Sequence, residues 1–296
     1  MKKLSGFLFL AIICFSAQAQ TALFNQQWYS RVNRNPAATA SGSETLNLSM
    51  FYNAQWVGVD GAPVTGLINA DAYFDKIKTG LGLSITYDEI GKSRSNFNIL
   101  FSYAYRVDLN EDLKLSLGVA GGLMNMNNDP SKNNFGENND PAIPTHKINE
   151  FAPDFNVGAE ISFRKLKAGI SMTHLLYGDA GDYDKPRMPR ELYGYAQYTA
   201  PLSRSFELMP LVTWNYSPAY EENIFEMGAM ASYHKYVMAG LNWKIDNAVA
   251  FMAGFEYSGL QLGYAYQLSV GDVSDFAKNS HELMLRIKIN YKNSSK

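Results

Sequence analysis

About fourteen stretches of this 296-residue chain alternate apolar and polar residues with a period of two, and no other feature restricts the fold as much. Successive side chains of an extended strand point to opposite faces, so such alternation marks strands with one apolar face. Phe97, Ile99, Phe101, Tyr103, Tyr105 and Val107 alternate with Asn96, Asn98, Leu100, Ser102, Ala104 and Arg106. Leu113, Leu115, Leu117 and Val119 do the same against Lys114, Ser116, Gly118 and Ala120. Near the end, Leu283, Leu285, Ile287, Ile289 and Tyr291 alternate with Glu282, Met284, Arg286, Lys288 and Asn290. The segments lie near 44–56, 62–75, 79–89, 93–107, 112–126, 152–163, 165–177, 190–202, 205–217, 222–233, 235–245, 247–257, 259–269 and 280–291. A tilted strand crosses a bilayer in roughly 9–11 residues, and most of these segments are long enough. No stretch shows a convincing helical period.

The connections carry a second regularity. After even-numbered segments they are short, as at Arg164, Ser203-Arg204, His234 and Ser258; after odd-numbered ones they are usually longer, as at 127–151, 178–189 and 270–279. Short turns on one side and long loops on the other fit an outer-membrane barrel, with both ends of the wall on the periplasmic side. The link near Asp246 is the exception. The polar faces carry Asp71, Arg106, Glu160, Lys167, Glu282 and Arg286 among other charges. Burying these in a sandwich interior is costly, whereas a barrel gives them a wet or mutually paired lumen. The expected fold is therefore all-β: one transmembrane antiparallel barrel of about fourteen strands spanning 44–291.

The N-terminus fits export. Lys2 and Lys3 precede an apolar run from Leu4 to Phe15, and Ala17-Gln18-Ala19 is a cleavage-site pattern. Residues 1–19 read as a cleaved signal peptide, 20–43 as a periplasmic lead segment and 292–296 as a polar tail. The formal charge of -2 argues against nucleic acid as a partner, and a single Cys excludes a disulfide framework or a Cys-based zinc site.

Scattered motifs add a resemblance. Asn35-Pro36-Ala37 precedes the first strand, followed by Gln55-Trp56, then Pro63 and Thr65, then Asp71. Further on stand His174-Leu175, Tyr264 and Tyr266 around Ala265, and Ser280-His281-Glu282. Read bottom-up, Asn-Pro is a turn and Trp56 an interfacial aromatic at a strand end. In this order the motifs resemble the PorP/SprF family of Bacteroidetes type IX secretion proteins, over nearly the whole chain after residue 19. Asn53, Ala265, Gln267 and Asn279 depart from the family pattern.

The resemblance implies an outer-membrane barrel beside the type IX translocon that engages the C-terminal sorting domain of a large adhesin-like cargo, for export or surface attachment, as in gliding and adhesin secretion. The rival reading is a passive or selective channel for small or hydrophobic solutes. Outer-membrane lipid surrounds the barrel in either case.

No catalytic reading stands beside these, so no enzyme and no cofactor is expected. The four histidines are scattered without metal-ligand spacing. Ser280, His281 and Glu282 cannot form a triad, because successive strand side chains face opposite ways. His281 is expected at the outer rim, with Glu282 in the lumen pairing a cation such as Arg286. Gly80, Gly82, Gly118 and Gly122 share the expected inner face. They leave room for a plug, for large facing side chains or for a passage, with plain local packing as the simpler account. Loop 127–151 is rich in Asn and Asp, which suits solvent or calcium, without an EF-hand spacing. As long external loops favour contact with partners, Phe135, Ile143, Tyr183 and Met188 are the candidate cargo-contact residues.

Overall fold

The computed structural model describes residues 24–42, 45–132, 147–176, 188–271, 274 and 279–290. The wall begins with β1 (Thr45–Ala54), β2 (Val64–Phe74), β3 (Thr79–Ile90), β4 (Arg94–Asp108) and β5 (Leu113–Asn128). It continues with β6 (Ile148–Phe163), β7 (Leu166–Thr173), β8 (Glu191–Tyr198), β9 (Phe206–Ser217) and β10 (Glu222–Tyr233). It ends with β11 (Val237–Lys244), β12 (Ala248–Tyr257), β13 (Leu260–Ser269) and β14 (Asn279–Asn290). Ala200–Pro201 prolongs β8 and pairs with the start of β9.

Each strand pairs antiparallel with its neighbours in sequence, and β14 closes on β1 from Thr45↔Asn290 to Ala54↔His281. The result is a closed antiparallel barrel of fourteen strands, as the alternation predicts. Closure leaves no edge strand, which is the condition for a sheet to stand in lipid.

The two faces of the wall differ as expected. Phe101, Leu117 and Leu283 point outward and are 62%, 53% and 56% exposed, whereas Asn69, Glu160 and Glu282 point inward at 1%, 1% and 0%. Exposed apolar side chains against a buried polar set invert a soluble fold and match a hydrocarbon solvent outside. Over β12–β14 and β1–β3 the outer wall is concave, forming an apolar hollow of about 910 Å³.

The loop asymmetry also holds. Tight hairpins at one end use left-handed residues such as Arg164, His234 and Ser258, with φ of 51°, 49° and 51°. The opposite end carries the connections 55–63, 129–147 and 174–190, and we refer to it as the outer end. The links at 91–93, 218–221 and 245–247 are short although they lie at that end.

The lead segment departs from expectation. Residues 24–42 do not lie in the periplasm below the barrel; they run inside it. Helix α1 (Gln27–Arg34) crosses the lumen, and a 3-10 helix (Pro36–Ala40) descends to the short-turn end, where the chain enters β1. The sequence hides this helix because it is short. Trp28, Tyr29 and Val32 do share one face, but eight residues give barely two turns, too short a run for the period to stand out.

Candidate functional site

The lumen is filled by this plug, held by two apolar anchors and a ring of polar bonds. Trp28 sits among Tyr193, Tyr195, Leu211, Met230, Met238 and Met252, and its indole N–H donates to the Met209 carbonyl at 2.9 Å. Phe24 packs with Phe51, Leu67 and Met284. The backbone N–H groups of Asn25 and Gln26 donate to the Glu282 carboxylate at 2.6 and 3.0 Å. Glu282 therefore holds the plug backbone and does not pair with Arg286. Arg286 instead donates to Asn47 at 2.8 Å, and Asn47 donates to Asp71 at 2.8 Å.

Lower down, Asn35 works in two directions. Its side-chain oxygen accepts the Ala37 N–H at 2.9 Å and starts the 3-10 turn, while its amide donates to the Ala159 carbonyl at 3.1 Å. Pro36 follows at the first helical position, where its missing N–H costs nothing. Lys167 donates to the Ser41 carbonyl at 2.9 Å. Near the exit Arg106 bonds Asp75 at 2.8 Å. Lys78 donates to the same carboxylate, and this bond holds the Asp75 carboxyl below the usual carboxylate range.

The wall has been shaped to receive the plug. A Cβ at Gly80 would stand 2.5 Å from the Thr39 backbone, and one at Gly82 would stand 2.7 Å from the Thr39 methyl. A Cβ at Gly118 would collide with Ala37, and at Gly158 with Asn35. Of the four glycines singled out from the sequence, three make room for the plug. At Gly122 the near neighbour is instead the Ile99 carbonyl of the adjacent strand.

Above the plug, the outer third of the lumen forms a small cup with a cavity of about 50 Å³. Phe24, Asn33 and Arg34 supply its floor, and Leu100, Met124 and Met188 its apolar flank. Its polar wall comes from Thr86, Asp88, Asn96, Asn98, Asn156, Thr173 and His174. Arg34 donates to Glu191 at 2.9 Å and to Asn215, and its guanidinium lies 4.5 Å from the Tyr193 ring centroid. The His174 ring lies 3.0 Å from Asp154, which also accepts from Asn98 at 2.7 Å. The His174 backbone N–H donates to Asn156 at 2.9 Å. These bonds satisfy part of the set. Arg34 Nε and Nη1, Asn98 Oδ1 and Thr173 Oγ1 are buried without a partner.

Most of the motif positions converge on the seam where β14 meets β1. Asn53 faces both Glu282 and Thr65 in register, and Tyr266 faces His281. Thr65, buried, donates to Asp88 at 2.5 Å. The Gln55 N–H donates to the Pro63 carbonyl at 2.9 Å, and the Trp56 N–H donates to Ser280 Oγ at 3.1 Å. Trp56 lies in the loop after β1, half-buried with φ of 46°, and not on the strand itself. His281 faces outward beside Tyr264, whose hydroxyl is 2.7 Å from its Nδ1, which is the outer-rim position expected. Asn35, Pro36 and Ala37 stand apart in the plug and His174 in the cup.

Of the candidate contact residues, Met188 lies at the cup, while Phe135, Ile143 and Tyr183 lie outside the described residues. Asn127 and Asn128 of the Asn-rich loop belong to β5. Asp129 receives a bond from Ser131 and pairs with Lys147, and the described residues hold no cluster of three or more metal-ligating side chains. The features missed in the sequence are the plug helix and Arg34. The usable signal was the set of inward glycines in line with Asn35-Pro36-Ala37.

A closed fourteen-stranded wall, lipid-facing outside and plugged by its own N-terminal segment, defines an outer-membrane β-barrel protein. Residues 16–287 match the family described as "Type IX secretion system membrane protein PorP/SprF", and the chain belongs to that family. A search of curated proteins returns no match. Among solved structures the barrel is similar to the CymD monoaromatic hydrocarbon channel, at TM-score 0.54 and 13% identity over 91% of this chain and 94% of that one. It is similar to the Pseudomonas putida toluene transporter TodX at 0.52 and 8%, over 90% and 94%. The Acinetobacter baumannii outer membrane protein Omp33 gives 0.51 and 7%, over 83% and 98%. At such identities these likenesses concern the fold alone.

Proposed function

We propose that this barrel is a non-enzymatic, non-conducting component of type IX secretion that engages the C-terminal sorting domain of one large adhesin-like cargo at its outer mouth. There it aids export or surface attachment, including cargo used in gliding. The observation that supports the reading is the plug. A lumen occupied by α1 and the 3-10 helix, each bonded to the wall, suits a docking scaffold better than an open pore. The cup above it then offers a fixed polar surface at the end from which long loops emerge.

The rival reading, a carrier of hydrophobic solutes, draws on the channel and transporter names of the barrel's structural neighbours. The amide-rich lining of the cup speaks against it, since an apolar solute leaves such groups unpaired. Deleting the gene tests the proposal: surface display of one cargo is lost while other exported proteins still reach the surface. Unchanged display of every cargo overturns it. The same reading places the mature protein in the outer membrane of a Gram-negative cell, with Gln20 as the first residue on N-terminal sequencing.

A further inference from the structure

We propose that the outer cup is a subsite for an uncharged carboxamide: a peptide-bond amide, or an Asn or Gln side chain, on an extended segment of the exported partner. The inference rests on the reading of the outer mouth as the cargo contact, and it names what that mouth recognises.

Charge decides first. Arg34 already pairs with Glu191, and His174 lies against Asp154. Asp88 also lines the cavity. A carboxylate entering the cup meets Asp88 with no spare cation, and a cation drawn by Asp88 meets the Arg34 guanidinium on the floor. Either charge would leave water for a site that also holds a charge of its own sign.

Hydrogen-bond capacity decides next. Arg34 Nε and Nη1 are donors without partners, on a side chain 7% exposed. Asn98 must turn its NH₂ toward the Asp154 carboxylate, so its Oδ1 remains an acceptor, and it too has no partner. Thr173 adds a buried hydroxyl with both capacities. Arg34, Asn98 and Thr173 all line one cavity, and their unpaired donors and acceptors, turned toward it, match a group that carries both C=O and N–H. A carboxamide presents its oxygen to Arg34 and its N–H to Asn98. The volume of about 50 Å³ takes one such group and excludes a folded element, so the tip of an extended segment is the fitting partner. Leu100, Met124 and Met188 flank it with apolar surface for the rest of that segment.

The test uses the full-length barrel in detergent micelles with methyl-labelled methionine. Met124 and Met188 line the cup, and Met50 and Met227 on the outer wall serve as references. N-acetyl-asparagine amide is expected to shift the Met124 and Met188 signals saturably, while acetate, guanidinium and glucose leave them in place. Thr173→Val is expected to weaken that binding about tenfold, and Thr173→Ser to restore it. Equal shifts from acetate or glucose overturn the proposal. So do unmoved signals at the highest soluble probe concentration, which would mean a cup holding water only. Wild-type affinity in Thr173→Val overturns it as well. The probe series on the wild-type protein decides the matter even if the valine variant does not fold. If the probe binds but the deletion strain displays every cargo, the secretion reading falls and the subsite stands. If deletion abolishes display and the probe does not bind, the subsite falls alone.

Discussion

Single residues show how closely plug and wall have been fitted. Glu282 is fully buried and accepts two backbone N–H groups of the plug. Glu282→Ala leaves both donors unpaired, at a cost of about 1–3 kcal/mol. We expect faster proteolysis within the plug and a lower temperature of loss of the heat-resistant gel band, with Glu282→Gln milder because it keeps an acceptor. Gly80 and Gly66 give a sharper contrast. A Cβ at Gly80 meets the Thr39 backbone at 2.5 Å, whereas one at Gly66 meets nothing within 4 Å. Gly80→Ala should therefore cost about 1–3 kcal/mol of stability by overpacking, and Gly66→Ala less than about 0.5 kcal/mol. Equal effects in thermal melts would deny the close fit. Asp75 adds a pH dependence. Its folded-state pKa is lowered by Lys78, so its contribution to stability is present above the unfolded value of 3.8 and lost as pH falls through the folded one. Asp75→Asn should accordingly lower the melting temperature at pH 7 and have little effect at pH 2.

At the level of elements, the strands were legible and the plug was not, for one reason. Period-two alternation reports a wall between unlike solvents, and here lipid and lumen differ sharply. β10 runs from Glu222 to Tyr233 as the alternation predicts, and β3 differs by a single residue at Ile90. β6 starts earlier than expected, at Ile148, and takes residues from the Asn-rich loop. The plug helix has only eight residues, so the face shared by Trp28, Tyr29 and Val32 spans barely two turns and does not stand out as a period, and a lead segment outside the barrel was the natural reading. The cup was partly legible through His174. Arg34 was not, because its partners Glu191 and Asn215 are remote in sequence. Since every pairing in the wall is strand to strand, the wall does not depend on the plug for closure. Removing residues 24–41 should leave a barrel that folds and is heat-modifiable but conducts ions in planar bilayers, where the intact chain is silent. A silent deletion variant would show that something other than the plug closes the lumen.

On the scale of the whole molecule, the chain order of plug and wall has a consequence for biogenesis. The segment that ends up enclosed is made and exported ahead of every strand that encloses it, and the final seam joins residues 45–54 to 281–290, the most distant pairing in the barrel. Such remote contacts form late, because a long loop of chain must be gathered first. On that order the occupant is expected to be in position before the ring zips shut. Glu282, the group that grips it, arrives on the last strand to be threaded. We expect insertion to proceed through a sheet curling around its own plug rather than a hollow cylinder filled afterwards.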